Sequence, residues 1–116
     1  MGNLWETLIL AELRASLAAT GSSRTLWFYR DAAGHEVDFV VTGGGRTDLI
    51  EAKWTEHPST SDTSSLQKVA RDVARTVEGL ATHTWVVCRT PNPYPIAGSD
   101  AGAIDLLELV DALFPL

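Results

Sequence analysis

Apolar positions at the start of the chain recur at helical spacing. Leu4, Leu8, Ala11, Ala15 and Ala18 form one stripe and Leu10, Leu13 and Leu17 widen it, which predicts a helix from about Asn3 to Gly21. Asn3 followed by Glu6 has the form of a capping box. The period then falls to two. TLWFYR (Thr25 to Arg30) reads as a strand, and so does Glu36 to Thr42, where Val37, Phe39 and Val41 alternate with Glu36, Asp38 and Val40. Asp31 to Gly34 and Gly43 to Gly45 read as turns, and Thr47 to Lys53 as a third strand. Beyond a polar loop, His57 to Ser61, the helical period returns. Leu66, Val69, Ala70, Val73, Ala74 and Val77 predict a helix that begins near Ser61 to Thr63 and meets a C-cap at Gly79. His83 to Arg89 is a short apolar strand expected to be buried on both faces. Pro91 to Gly102 reads as loop, and Asp105 with Glu108 caps a last helix carrying Leu106, Leu109, Val110 and Leu113.

The predicted order is helix, three strands, helix, strand, helix. Short links make the three strands an antiparallel meander. The helix before the fourth strand makes it join in parallel, by a right-handed crossover. The expectation is one α/β domain over residues 1–116, with a core over roughly 2–90 and a C-terminal loop and helix over 91–116. Trp5, Trp27 and Trp85 are expected in the core, and Trp54 packed on the face opposite Lys53.

Composition narrows the class without fixing it. Hydrophobic content of 45% and charged content of 21% suit a globular domain able to bury a core without staples. The single cysteine, Cys88, sits in an apolar run and has no partner for an internal disulfide, as expected in a reducing compartment. No run approaches the roughly 18 apolar residues of a membrane span, and no signal peptide is visible, so the default reading is cytoplasmic, with no membrane partner. A net charge of −6 weighs against nucleic acid as a partner. A carboxylate site would contribute to that charge, and a divalent cation would offset it.

The carboxylates in the hairpin carry the chemistry. With a turn over Gly43 to Arg46, Thr42 pairs with Thr47, Val40 with Leu49, Asp38 with Glu51 and Glu36 with Lys53. Apolar then meets apolar, and the charges share one face. Asp38 and Glu51 would have Cβ atoms roughly 5 Å apart, a destabilising contact between like charges. A divalent cation reverses its sign, and oxygen ligands at that separation suit Mg²⁺ or Mn²⁺. Lys53, two residues after Glu51 on the same face, can hold or polarise a water there. Metal-activated water, charge relief and a proton-handling group are the parts of phosphodiester hydrolysis.

The spacing D-x(12)-E-x-K over two adjacent strands, behind a helix carrying a glutamate, resembles the PD-(D/E)XK, or restriction-endonuclease-like, nuclease superfamily. The predicted element order resembles its common core. The blocks GNLWETLILAEL, FYRDAAGHEVDFVV and LIEAKW, in that order, resemble more closely the C-terminal nuclease-like domain, of unknown function, of prokaryotic AAA-type ATPases. The resemblance covers roughly residues 2 to 90. It implies metal ligation by Asp38, Glu51 and the Ala52 carbonyl, Lys53 as the catalytic lysine, and Glu6 as the helix glutamate approaching the metal. The implied activity is that of a Mg²⁺- or Mn²⁺-dependent endodeoxyribonuclease, with branched DNA as its special substrate. A nuclease working alone would be served by a homodimer that cuts two strands. The alternative is a non-catalytic accessory domain that helps an AAA-type ATPase module assemble or find its partner, whether in one full-length protein or in trans. TGGGRT lacks the Gly-Lys-Ser/Thr of a phosphate loop, so no ATP site is expected.

Each residue also has a plainer reading. Glu6 serves equally as a capping-box residue. Lys53 has Glu36 as a cross-strand partner. Lys68, Arg71 and Arg75 repeat along one helix face, as a phosphate-contacting stripe or as a solvated face balanced by Asp72 and Glu78. Gln67 is placed to reach the site from the helix's first turns. His35, His57 and His83 lack ligand spacing, and His35 reads as a turn residue. Base stacking on Trp54 is the remotest role considered.

Overall fold

The computed structural model describes residues 2–77 and 79–115. Its elements are α1 (Gly2–Thr20), β1 (Thr25–Arg30), β2 (Glu36–Gly43), β3 (Arg46–Ala52), a 3-10 turn (Thr60–Thr63), α2 (Ser64–Thr76), β4 (Ala81–Val87), β5 (Tyr94–Pro95), β6 (Gly102–Ile104) and α3 (Leu106–Leu113). The strands form a single sheet in the order β1-β2-β3-β4-β6-β5. The meander β1–β2–β3 is antiparallel, and β4 joins β3 in parallel through α2, as the link lengths require. The segment expected to be loop holds two further strands: β6 lies parallel to β4, and β5 pairs back on β6. Strands so short carry no readable alternation, and Pro95 is tolerated because β5 is an edge.

Two helices cover one face of the sheet and one covers the other. α1 and α3 pack on Phe39, Val41, Ile50, Ala52 and Val87, whereas α2 packs on Val37, Val40, Leu49, Val86 and Cys88. The stripe that α1 buries is Trp5, Ile9, Leu13 and Ser16, not the predicted Leu4–Leu8–Ala11 stripe. Leu4 and Leu8 are 67% and 52% exposed. Two apolar stripes run along this helix, and the one that holds Trp5 and Ile9 fills the larger volume against the sheet. α1 begins at Gly2, so Asn3 lies inside it and Glu6 lies beyond its first turn; the capping-box reading of Glu6 falls. At its other end Gly21, at φ 62°, closes a Schellman-type cap: Ser22 N–H donates to the Leu17 carbonyl and Gly21 N–H to that of Ala18. α2 stops at Thr76, earlier than predicted, and Val77 is extended and exposed, with Gly79 beyond it. Asp105 caps α3 by accepting the Glu108 N–H.

The β2–β3 hairpin closes on a two-residue loop, Gly44–Gly45. Their φ values of 70° and 77° are left-handed at both positions, which glycine adopts at no steric cost. Gly43 pairs with Arg46, so the turn spans the predicted residues Gly43 to Arg46 and the register is the predicted one, with Thr42 opposite Thr47 and Val40 opposite Leu49. β1 and β2 slip by one position: Trp27 stands opposite Val40, but Tyr29 stands opposite Val37. Asp38 and Phe39 together therefore face Phe28, a bulge in β2. The bulge carries Val37 to the α2 face, away from Phe39 and Val41, whose face it was predicted to share. Trp27, expected in the core, is 54% exposed on edge strand β1 and donates its indole N–H to the Thr42 hydroxyl. β4 is buried on both faces only in its second half, since Ala81 and His83 are exposed.

Asp48 is fully buried and accepts hydrogen bonds from Arg24 (2.7 Å), Arg46 (2.7 and 2.8 Å) and the Trp85 indole (2.8 Å). Burial disfavours its charge, but the hydrogen bonds from Arg46, Trp85 and Arg24 outweigh it and hold the carboxyl below its ordinary range. Arg24 also donates to the Leu113 and Val41 carbonyls, which ties α3 to the sheet.

Candidate functional site

The β2–β3 ladder runs from Gly43–Arg46 to Phe39–Ile50. Beyond its end, next to the bulge in β2, Asp38 and Glu51 line one cavity and interact with one another. The Lys53 N–H donates to the Val87 carbonyl at 3.0 Å, so Lys53 faces β4. Backbone donors alternate sides along a strand, and the Ala52 N–H therefore faces β2. It finds a side chain there instead of a strand carbonyl: Asp38 Oδ2 accepts it at 2.9 Å. A backbone donor of β3 thus fixes the carboxylate that the bulge releases.

Glu51 is pushed up to about 9. Burial is the main cause, followed by the hydrogen bond and the negative charge of Asp38; Lys53 acts in the other direction and Glu6 adds to the rise. The protonated form of Glu51 is thereby favoured beside Asp38. Glu6 is also raised, by burial first and then by Asp38 and Glu36, with Lys53 opposing. Glu6, Asp38, Glu51 and Lys53 therefore act on one another electrostatically.

A cavity of about 290 Å³ opens beside Glu51, lined by Glu36, Asp38, Glu51, Lys53 and Gly34 from the sheet side, and by Ser61, Asp62, Ser64 and Ser65 leading into α2. A second cavity, of about 520 Å³, lies between α1 and the β1–β2 strands and reaches Glu6. Glu36 and Asp38 line both.

Other residues are arranged differently from the sequence expectations. Glu36 pairs with Arg30, not with Lys53. Among the described residues Lys53 makes no ion pair. Gln67 does not reach the carboxylates. It lines a cavity formed with β4 and the β5–β6 hairpin, because its position on α2 points toward that side. Lys68 and Arg75 both pair with Asp72, and Arg71 is exposed, as a solvated face would have it; Glu78 lies outside the described residues. His35 is a turn residue whose ring and N–H contact Asp31. Trp54 does sit opposite Lys53, edge-on to Trp5 at 5.3 Å, with the Arg89 guanidinium 4.4 Å over its ring. It remains 39% exposed.

Sequence reasoning missed Asp62, Ser61 before α2 with Ser64 and Ser65 at its start, and the exposed Phe28. Asp62 had a readable signal, the Ser59-x-x-Asp62 capping box, in which Asp62 accepts the Ser59 N–H at 2.9 Å. Phe28 had none, since its placement follows from the bulge.

A divalent cation fits the donor set in one respect. A divalent cation beside Glu51 would oppose the burial and the Asp38 charge that favour its protonated form. Among the described residues no three His, Cys, Asp or Glu side chains gather at metal-ligand spacing, so two carboxylates would need backbone or water oxygens to complete a shell. No helix among them is long and apolar enough to cross a membrane.

Comparison with solved structures finds the small subunit (R.BspD6I2) of the heterodimeric restriction endonuclease R.BspD6I. The TM-score is 0.55 at 16% identity, over 96% of this chain and 68% of that one. At this identity the likeness establishes the fold, which is restriction-endonuclease-like. Comparison with the curated proteins finds no match. The family model for a domain of unknown function, DUF4143, matches residues 1–108, and the chain belongs to that family.

Proposed function

We propose that this domain is a divalent-metal-dependent endonuclease acting on DNA, with branched DNA as its special substrate. The observation that carries the reading is the meeting of Asp38 and Glu51 at the end of the β2–β3 ladder, with Lys53 lining the same cavity. Asp38, Glu51 and the Ala52 carbonyl would hold Mg²⁺ or Mn²⁺. The ion would supply charge to lower the pKa of a water and to offset charge on the phosphoryl oxygens. Asp38 keeps its position through the Ala52 N–H. The Lys53 ammonium, which no carboxylate ties down among the described residues, holds the attacking water and faces the developing negative charge. Glu6, on α1 and lining the other cavity, would approach the metal from the helix side.

The test is incubation with plasmid and with four-way junctions in Mn²⁺, beside Glu51→Ala and Lys53→Ala. The wild type should cut and both variants should not. Cutting that persists unchanged in both would assign it to something other than this site.

A second reading, the accessory domain of an AAA-type ATPase, is favoured by the exposed apolar residues Leu4, Leu8 and Leu107 on the α1–α3 side, together with the net charge of −6. Calorimetric titration separates the two readings: absence of Mn²⁺ binding at millimolar concentration selects the accessory role.

A further inference from the structure

We infer that the cavity between α1 and the β1–β2 strands seats an unpaired base next to the scissile phosphate, with Phe28 as its stacking wall, so that the substrate is single-stranded or locally unpaired DNA. The inference rests on the nuclease reading of Asp38 and Glu51.

Four observations carry it. The cavity, about 520 Å³, is of ordinary small-ligand size and is lined by Asp38, so an occupant would sit beside the carboxylates. Phe28 lines it and is 63% exposed on edge strand β1. Phe28 faces the bulge, opposite Asp38 and Phe39, and its ring packs against Phe39 at 6.0 Å between centroids. Across from it, α1 presents the Asn3 amide, a donor and an acceptor side by side, and Thr7, whose hydroxyl donates to the Asn3 carbonyl and keeps its lone pairs.

A base fits this lining better than a phosphate does. Glu6, Glu36 and Asp38 make the walls acidic, and the one guanidinium present, Arg30, is paired with Glu36. A neutral, flat, amide-edged group avoids that repulsion and gains a stacking surface. A base within a blunt duplex is stacked already, and reaching Phe28 would require unpairing it. Branch points, flaps and single strands present such bases at little cost.

The experiment uses the full chain carrying Lys53→Ala, to block turnover, in Mn²⁺. Fluorescence anisotropy compares a labelled single strand, a flap and a blunt duplex, each with 2-aminopurine at the unpaired or matching position. The parent should favour the single strand and the flap and should quench 2-aminopurine. Phe28→Leu keeps an apolar contact with Phe39 but removes the aromatic face. It should weaken binding of both unpaired substrates about five- to a hundredfold, leave duplex binding unchanged and lose the quench. Phe28→Trp should retain both properties. Thermal melts that match the parent show that the fold is intact. Parent affinity highest for blunt duplex, or Phe28→Leu indistinguishable from the parent, overturns the inference. So does a Phe28→Leu variant whose only change is a loss of self-association, since the ring would then serve a contact between copies of the chain. Site-dependent cutting without dependence on Phe28 leaves the nuclease reading standing and removes this one, whereas no DNA binding in any form removes both.

Discussion

Replacing Glu51 by glutamine should stabilise the metal-free protein at neutral pH. The folded chain holds a proton on Glu51 up to about pH 9, and the unfolded chain gives it up near 4.5. The sign follows from linkage. A raised folded pKa contributes stability that is complete below pH 4.5, declines as pH rises and is exhausted above about 9. Holding that proton to pH 7 costs about 3 kcal/mol as an upper figure, and about half of that once solvent screening at a half-buried site is allowed for. Glutamine is neutral in both states and carries no such cost. Urea unfolding followed by circular dichroism in EDTA, at pH 5, 7 and 9, should show wild-type stability falling across the series. Glu51→Gln should stay nearly flat and be the more stable of the two at pH 7 and 9. Millimolar Mn²⁺ should close the gap by stabilising only the wild type. A variant less stable than the wild type at pH 7 and 9 in EDTA, or one with an equally steep pH dependence, would refute the idea that Glu51 and Asp38 are forced together.

Asp48→Asn should cost about 3 kcal/mol, because Arg24 and Arg46 lose the buried charge that neutralises them. The folded pKa of Asp48 is depressed, so its contribution is present above about 3.8 and lost as pH falls through the lower folded value; acid unfolding of the wild type should show that loss and the variant should lack it. On α1, Ile9→Ala should lower stability by about 2–5 kcal/mol, whereas Leu8→Ala should change it by no more than about 0.5, a contrast that chemical denaturation reads directly. Gly43→Ala should cost more than about 1 kcal/mol, since φ is 126° there and a Cβ would lie 3.2 Å from the Arg24 Cα; the thermal midpoint reports it.

The hairpin was legible because two independent signals agree. Three glycines place the turn, and matching Val40 with Leu49 leaves only one register, which the ladder follows from Gly43–Arg46 to Phe39–Ile50. The parallel fourth strand followed from α2, whose apolar stripe is unambiguous. α1 was misread because both of its faces carry apolar residues, and periodicity cannot say which will meet the sheet. Volume decides, and Trp5 with Ile9 outweighs Leu4 with Ala11. β5 and β6 were invisible because two or three residues give no period. Asp48 was passed over because nothing local shows that Arg24, 24 positions away, closes on it.

The bulge in β2 accounts for the side-chain placements there that alternation does not predict. Without it Val37 would share a face with Phe39, as alternation predicts, and β2 would continue to pair with β3 past Ile50. A regular ladder would give the Ala52 N–H to a strand carbonyl and leave Asp38 pointing from an ordinary pleat. Beside the bulge the Ala52 N–H donates to the Asp38 carboxylate, a cavity opens beside Glu51, and Phe28 lines the second cavity. The α2 core accommodates the change because Val37 packs there as readily as on the opposite face. Asp38 and Glu51 thus line one cavity beyond the end of the ladder, where burial and the Asp38 charge favour the proton on Glu51.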